Sequence, residues 1–189
     1  MPDLVAPTSR VRVSFIAAMD ELRAEGRGAP DDNSMVGSEI RDYGAGWADP
    51  EFFEEYTRQL REQALEDPAR PDGLVPATTL WWADGDEYLG RIAIRHRLTQ
   101  HLLDYGGHIG YDIRPSARRR GHATAMLARA LPVAAGLGID PVLITCDEDN
   151  IGSRKVIESN GGQFDDQRGV KLRFWVPAGG QTGRRGSMP

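Results

Sequence analysis

The chain has 189 residues, of which 40% are hydrophobic and 27% are charged, a composition typical of a folded globular domain and not of a disordered chain. Its formal net charge of -5 argues against a general nucleic-acid binder, whose surface is normally basic. No apolar run approaches the ~20 residues that cross a bilayer, and residues 1–10 lack the apolar core of a signal peptide, so we expect a cytoplasmic protein without a membrane partner.

The first part of the chain carries two predicted helices separated by a long loop. Apolar residues recur at helical spacing over 14–25, which predicts an amphipathic helix. The Gly- and Asp-rich stretch 26–49 is typical of a loop with at most one turn of helix. Asp49-Pro50-Glu51 is a helix start, and the second helix is expected to end near Leu65. The residues expected on its buried stripe are Phe52, Phe53, Tyr56 and Leu60.

Three strands are predicted next, because β-branched and aromatic residues replace the helical periodicity. Thr78–Trp82 and Tyr88–Ile94 enclose the turn signal Asp84-Gly85-Asp86, which predicts a β-hairpin. Gly107–Ile113 is expected to form a third strand. Its alternation places Ile109, Tyr111 and Ile113 on one face and His108, Gly110 and Asp112 on the other.

The second half of the chain alternates helices with strands. A helix is expected over 121–136, bent at Pro132, which cannot donate to the helical ladder. The apolar run Val142–Cys146 predicts a strand covered on both faces, and Ile151–Ser159 a short helix. Lys171–Val176 is expected to be the last strand. This order of elements predicts a mixed α/β fold of the α+β type, with helices layered on a sheet.

The segment Arg118-Arg119-Arg120-Gly121-His122-Ala123 lies where the third strand ends and a helix begins. Unpaired backbone N–H groups and the positive end of the helix dipole converge at such a position, which favours a phosphate. Gly121 and Ala123 lack bulk, so an anion can approach the main chain, and Arg118 can add a charge-assisted contact. The sequence therefore predicts an anion-binding loop.

Two segments resemble the GNAT acetyltransferases. Residues 109–124 look like the strand, loop and helix of that family, and Arg118–Ala123 matches its Q/R-x-x-G-x-G/A signature. Residues 150–161 resemble the family's Asn-led helix that ends in a glycine turn. The resemblance covers roughly 75–176 and implies a central, mostly antiparallel sheet that is splayed at the cofactor site and flanked by helices.

The resemblance also implies a division of the chain. Residues 1–74 would be an N-terminal helical, substrate-side segment of the same domain, and 75–177 the acetyl-CoA-binding core. The Gly-, Ser- and Arg-rich residues 178–189 are expected to form a disordered tail.

The cofactor contacts follow from the same resemblance. Main-chain groups around Tyr111 and Ile113 would bind the pantetheine arm of acetyl-CoA like an added strand. Asn150 and Ser153 would lie beside the arm on the other wall of the gap. Arg118 and the backbone amides of the loop would hold the pyrophosphate, with the amides coming from Arg119, Arg120, Gly121, His122, Ala123 and Thr124.

The implied chemistry is direct attack of an amine on the thioester, which needs a base for the amine and a proton for the leaving thiolate. His108 is the first candidate base, because imidazole titrates near neutrality and relatives often carry a carboxylate at this strand position. Glu148, at the mouth of the next strand, is the second, and purely structural roles are the alternatives for both. Many relatives place a tyrosine seven residues after the motif asparagine, but Ile157 stands there. Ser153 or a water is left as the proton donor.

Acetyl-CoA is the expected co-substrate, and a primary amine of a small molecule or a protein is the expected acceptor. Residues 1–75 hold 16 acidic and 8 basic side chains, which favours a cationic acceptor. A catalytically silent acyl-CoA sensor is the alternative, because Ile157 replaces the tyrosine. The sequence leaves open whether the protein forms a homodimer, and no nucleic-acid partner is expected. The four histidines do not have the spacing of metal ligands, so we expect no metal site.

Overall fold

The computed structural model describes residues 1–67 and 69–179, and within them seven strands form one sheet in the order β1-β2-β3-β4-β5-β7-β6. The strands are β1 (Asp3–Val5), β2 (Ala77–Asp84), β3 (Glu87–Arg95), β4 (Ile109–Ile113), β5 (Val142–Asp147), β6 (Gln163–Arg168) and β7 (Lys171–Val176). The α-helices are α1 (Arg12–Ala24), α2 (Met35–Tyr43), α3 (Pro50–Glu62), α4 (His122–Gly136) and α5 (Ile151–Ser159).

The sheet opens between β4 and β5, its one parallel pair of neighbouring strands. These strands share the single register pair Ile109–Ile144. Next to it, the N–H of His108 donates to the Leu143 carbonyl at 2.7 Å, and Nδ1 of His108 accepts from the Leu143 N–H at 2.9 Å. The strands are thus joined at their start and separate toward their carboxyl ends. The predicted mixed fold with a splayed, mostly antiparallel sheet is confirmed.

Each face of the sheet has its own hydrophobic core. One core joins β3, β4 and β5 to α4 and α5, and it includes Ile109 and Ile113 with Tyr111 packed against it. The other core joins β2 and β3 to α1, α2 and α3. The centre of this second core is Phe15, whose ring lies 5.0 Å from that of Trp47 and 5.1 Å from that of Trp81. The alternation predicted for β4 therefore separates its two faces correctly.

Four elements differ from the sequence-based expectation. The loop predicted over 26–49 contains the nine-residue α2, whose N-cap Ser34 accepts from the Gly37 N–H at 3.1 Å. β1 and β6 were not predicted, because β1 has only three residues and β6 is a largely exposed edge strand rich in polar side chains. On α3, Phe52 is 40% exposed, so it does not belong to the buried stripe.

The start of the predicted tail is ordered where it can be described. Ala178 is buried, and Asp140 accepts from the N–H groups of Ala178 and Gly179 at 2.9 and 3.1 Å. The expectation of disorder is therefore wrong for these two residues, while 180–189 lie outside the described residues. Within 1–67 and 69–179, none of the helices is both long and apolar enough to cross a bilayer.

Candidate active site

The amino end of α4 lacks a side-chain cap, unlike α2, α3 and α5, which are capped by Ser34, Asp49 and Asn150. The first ladder bond recorded there runs from the Ala125 N–H to the Gly121 carbonyl at 3.0 Å. The first backbone N–H groups of α4 therefore have no acceptor within the helix and point outward from its amino end, where the helix dipole is positive. These donors face a cleft, and an anion suits them.

The loop before α4 has an unusual backbone. Arg119 has φ 62°, the one positive φ recorded for a non-glycine residue in the described chain. Gly121, at the N-cap, has φ 81°, and a Cβ placed on it would meet no protein atom within 4 Å. Glycine is required there for its conformation and not by close packing. A left-handed arginine costs roughly 1–2 kcal/mol, and such strain concentrates at binding and catalytic sites.

The cleft in front of α4 has a volume of about 640 Å³ and is lined by the loop, the outer half of β4 and the start of α5. We call it the α4 cleft. Its lining includes most of the residues predicted to contact the cofactor, namely Tyr111, Ile113, Arg118, Arg119, Gly121, His122, Ala123, Thr124, Asn150 and Ser153. Arg120 is exposed beside it. The volume is within the roughly 300–1,000 Å³ typical of small-molecule sites.

The gap between β4 and α5 is spanned by two hydroxyl groups. Tyr111 Oη and Ser153 Oγ lie 2.8 Å apart, and burial raises the pKa of Tyr111 to about 12. The Asn150 side chain accepts from the Ser153 N–H at 3.0 Å and so caps α5. The pair therefore places two protonated hydroxyl groups on the wall of the α4 cleft.

Carboxylates of α1 bind the arginines around the loop. Arg118 donates to both oxygens of Glu25, at 2.9 and 2.8 Å, and its Nε donates to the Ile113 carbonyl at 3.1 Å. Arg114 pairs with Glu21, which also accepts from the Ser116 N–H at 2.9 Å. The α4 cleft is therefore bordered by α1, and Arg118 faces it with its charge already compensated.

A second pocket of about 530 Å³ lies on the opposite face of the sheet, between α2, α3, the strands β2 and β3 and the segment 69–75. We call it the α2–α3 pocket. Arg91 and Arg95 lie on its floor, and Met35 and Glu39 of α2 lie on its wall. Glu39 forms an ion pair with Arg91 and accepts from the Tyr56 hydroxyl at 2.7 Å. This pocket is built from side chains that are far apart in the sequence.

Two side chains of the α2–α3 pocket lie next to Gly110 of β4. A Cβ on Gly110 would lie 3.7 Å from Nη2 of Arg95 and 3.8 Å from the Met35 methyl group, and both of these side chains line the pocket. Gly110 follows Ile109, the last β4 residue paired with β5, and precedes Tyr111, which lines the α4 cleft. The two cavities thus approach β4 from different sides at its one residue without a side chain.

The structure places His108 and Glu148 outside the lining of both cavities. Burial, with a further contribution from Arg95, lowers the pKa of His108, and its Nδ1 lone pair is occupied by the Leu143 N–H. Glu148 is exposed and accepts from the Gln167 side chain at 2.7 Å. Catalysis by either residue stays a prediction, and His108 has an evident structural role in joining β4 to β5.

Asp112 is a candidate that the sequence analysis passed over. It lines the α4 cleft and sits directly opposite Arg91 on the face that bears the α2–α3 pocket. Burial raises the pKa of Asp112, although Arg27, 3.6 Å away, opposes this. The missed signal was the alternation itself, which had placed Asp112 on the same face as His108 and Gly110. A carboxyl group with a raised pKa beside two cavities is suited to accept a proton.

The family model described as the acetyltransferase (GNAT) domain matches residues 34–163, more than half of the chain. The chain belongs to the GNAT acetyltransferase family, as the two sequence segments predicted. Its class is that of the acetyl-CoA-dependent N-acetyltransferases, with acetyl-CoA as co-substrate.

Solved structures of acetyltransferases share the fold. RimJ from Mycobacterium smegmatis, in complex with CoA-disulfide, is 15% identical with a TM-score of 0.61, over 93% of this chain and 80% of that one. The microcin C7 self-immunity acetyltransferase MccE, in complex with acetyl-CoA and AMP, is 13% identical with a TM-score of 0.58, over 92% and 90%. PaiA from Thermoplasma acidophilum, in complex with coenzyme A, is 12% identical with a TM-score of 0.57, over 94% and 99%. No curated protein sequence matches the chain.

Proposed function

We propose that the protein transfers the acetyl group of acetyl-CoA to a primary amine that binds in the α2–α3 pocket. The observation that carries the proposal is the position of Gly110 on β4: a Cβ there would lie within 3.8 Å of Arg95 and Met35 of this pocket, and the next residue, Tyr111, lines the α4 cleft. An amine entering from one side of β4 and a thioester lying along its free edge would come together there. Solved relatives with the same fold are named as N-acetyltransferases, which is consistent with an amine acceptor.

The amides at the start of α4 fit a pyrophosphate, because they line the cleft and have neither a side-chain cap nor another hydrogen-bond partner within 1–67 and 69–179. The backbone of β4 beyond Ile109 has no strand partner on the β5 side and is free to pair with an extended arm. Acetyl-CoA supplies an acetyl thioester that is already activated toward nucleophiles. The chain has to orient it, remove a proton from the amine and protonate the leaving thiolate.

Asp112 is the proposed proton acceptor, because it lines the α4 cleft, lies opposite Arg91 of the α2–α3 pocket in the sheet, and has a side chain that is only 19% exposed. Ser153 is the proposed donor to the thiolate, with the Tyr111 hydroxyl hydrogen-bonded behind it. These two hydroxyl groups would take the role that relatives give to the tyrosine replaced here by Ile157. The backbone N–H groups near Tyr111 are free to stabilise the developing oxyanion.

The test is to separate the two cavities with a side chain at Gly110. Valine is compatible with a strand, and its methyl groups would fill the space toward Arg95 and Met35. In Gly110→Val we expect saturating acetyl-CoA to stabilise the protein as in the wild type, by about 2.7 kcal/mol at 100 times the dissociation constant. Turnover, measured as free thiol released with a panel of primary amines, should fall at least ~100-fold, since a displacement of ~1 Å can cost that much.

Gly110→Ala is the matched control, because its Cβ fits without displacing any atom and should leave most of the turnover intact. Full turnover in Gly110→Val would show that the amine does not approach across Gly110. Stabilisation by acetyl-CoA without thiol release on any amine in the wild type would support the sensor alternative instead.

A further inference from the structure

The floor of the α2–α3 pocket carries two arginines on one face of β3, Arg91 and Arg95, with Ala93 between them. Arg91 is 2% exposed and is neutralised by Glu39. Arg95 is partly buried, and its Nη1 donates to the carbonyl groups of Gly106 and Gly107, each at 3.1 Å. Neither of these carbonyl groups carries a formal charge.

Arg95 differs from the other arginines that lie deep in the molecule. Those arginines have carboxylate partners, in the pairs Arg91–Glu39, Arg114–Glu21 and Arg173–Asp166. No carboxylate of 1–67 or 69–179 lies within ion-pairing distance of Arg95. Burial lowers the pKa of Arg95, and the charge of Arg91 lowers it further. An uncompensated charge in such surroundings is costly and is best stabilised by an anion.

The guanidinium of Arg95 lies beside the place of the proposed reaction. Its Nη2 and Nη1 would lie 3.7 and 3.8 Å from a Cβ on Gly110, and both recorded hydrogen bonds use Nη1, so the N–H groups of Nη2 can bind a ligand. A guanidinium fork binds carboxylate and phosphate oxygens well, because its N–H groups are planar and fixed. An anion on Nη2 would therefore sit beside the amine that approaches β4.

The acidic residues of the pocket do not compete for this role. Glu39 is paired with Arg91, and Glu62 with Arg58. The excess of acidic side chains over residues 1–75 had favoured a cationic acceptor. These pairs show that the acidic side chains lining the pocket are already neutralised. The excess of acidic residues in this part of the sequence therefore does not make the pocket negatively charged.

We propose that the acceptor amine carries an anionic group, a carboxylate or a phosphate, which Arg95 binds in the α2–α3 pocket. This rests on the proposed function, because it names the chemical class of the acceptor at that same site. The anion and the amine would be close neighbours in the molecule, as in an amino acid or an aminoalkyl phosphate.

The experiment compares amines that differ only in the anion. L-leucine is paired with L-leucinamide, and O-phosphoethanolamine with ethanolamine. Because the anion also changes the pKa of the amine, kcat/KM is measured from thiol release and expressed per neutral amine. We expect the anionic member of one pair to exceed its neutral partner by about 10- to 100-fold, the range of a charge-assisted contact. The pair that shows the preference identifies carboxylate or phosphate. In Arg95→Gln the ratio should fall to near one.

Arg97→Gln is the control, since Arg97 is an exposed arginine two residues along, paired with Glu66, and it should keep the wild-type ratio. Arg95→Lys retains the charge without the fork and should give an intermediate ratio, which guards against misfolding of the glutamine variant. A ratio at or below one in both wild-type pairs would overturn the proposal. A ratio unchanged in Arg95→Gln and Arg95→Lys would do the same.

Calorimetry of the same four compounds in the presence of coenzyme A separates this proposal from the acetyl transfer itself, because binding needs no turnover. Tighter binding of an anionic member, lost in Arg95→Gln, supports the anion site even where no amine is acetylated. Equal binding of charged and neutral members refutes it, whether or not acetyl transfer occurs.

Discussion

The two cavities on either side of β4 are built in different ways. The α4 cleft is formed largely by main-chain groups, namely the uncapped start of α4 and the free edge of β4. The α2–α3 pocket is formed by side chains from α2, α3, β2, β3 and the segment 69–75, with ion pairs among them. Main-chain donors suit a ligand that is always the same, whereas side chains can be exchanged to suit a different acceptor. The comparison predicts that the cleft is sensitive to backbone changes and the pocket to changes of charge.

The largest effect on kcat is expected from a change at Asp112 of β4, the strand between the two cavities. Asp112→Asn keeps the shape of the side chain but removes the proposed proton acceptor, so kcat should fall about 10²- to 10⁴-fold. In the wild type, activity should decrease as the pH falls through the pKa of Asp112, which burial holds above its ordinary value. This acidic limb of the pH–rate profile should disappear in the variant.

His108→Gln and Glu148→Gln, measured in parallel, decide between the three candidate bases. We expect much smaller losses of kcat in both, and an acidic limb that stays in place. Loss of the limb in His108→Gln with wild-type behaviour of Asp112→Asn would return the role to the histidine.

A backbone change should have the next largest effect, and only on the cleft. Gly121→Val cannot adopt φ 81° without strain, so the start of α4 should shift and the affinity for coenzyme A should drop about 100-fold. Gly138, at the other end of α4, has φ 79° and equally open surroundings. Gly138→Val should therefore cost similar stability in thermal unfolding but leave coenzyme A affinity unchanged. Equal losses of affinity in the two variants would count against the cleft as the pyrophosphate site.

A charge change at the rim of the α4 cleft should have the smallest effect. Glu25 accepts from Nη1 and Nη2 of Arg118, so Glu25→Gln should release the guanidinium for phosphate and tighten coenzyme A binding by about 2- to 5-fold, the small effect expected of an exposed pair. The gain, measured by calorimetry, should shrink at high salt. Asp20→Asn, on α1, is the control and should leave the affinity for coenzyme A unchanged. Weaker binding in Glu25→Gln would mean that the pair is needed to hold the loop.

The sequence predicted the cleft better than the pocket, for a physical reason. The elements around the cleft are specified locally: Gly121 and the apolar stripe that follows define the start of α4, and Asn150 defines that of α5. The expected contact residues there fell on two short segments. Local patterns of this kind can be recognised in the sequence without knowledge of the rest of the fold.

The pocket depends on pairs that no local pattern can reveal. Glu39 and Arg91 are 52 residues apart, and α2 itself was missed because glycine and aspartate surround it. Its formation relies on the Ser34 cap and on burial of Val36 and Ile40 against α1 and the sheet, which is tertiary information. Asp112 was visible in the sequence but could not be weighed, since its burial and its arginine neighbours come from three different elements.

Trp82 donates its indole N–H to Nδ1 of His122, the first residue of α4, at 3.2 Å. Trp47 and Trp81, in contrast, are sealed within the aromatic core around Phe15 on the other face of the sheet. Trp82 is therefore an intrinsic chromophore one hydrogen bond from the start of α4, whereas Trp47 and Trp81 lie in the opposite layer.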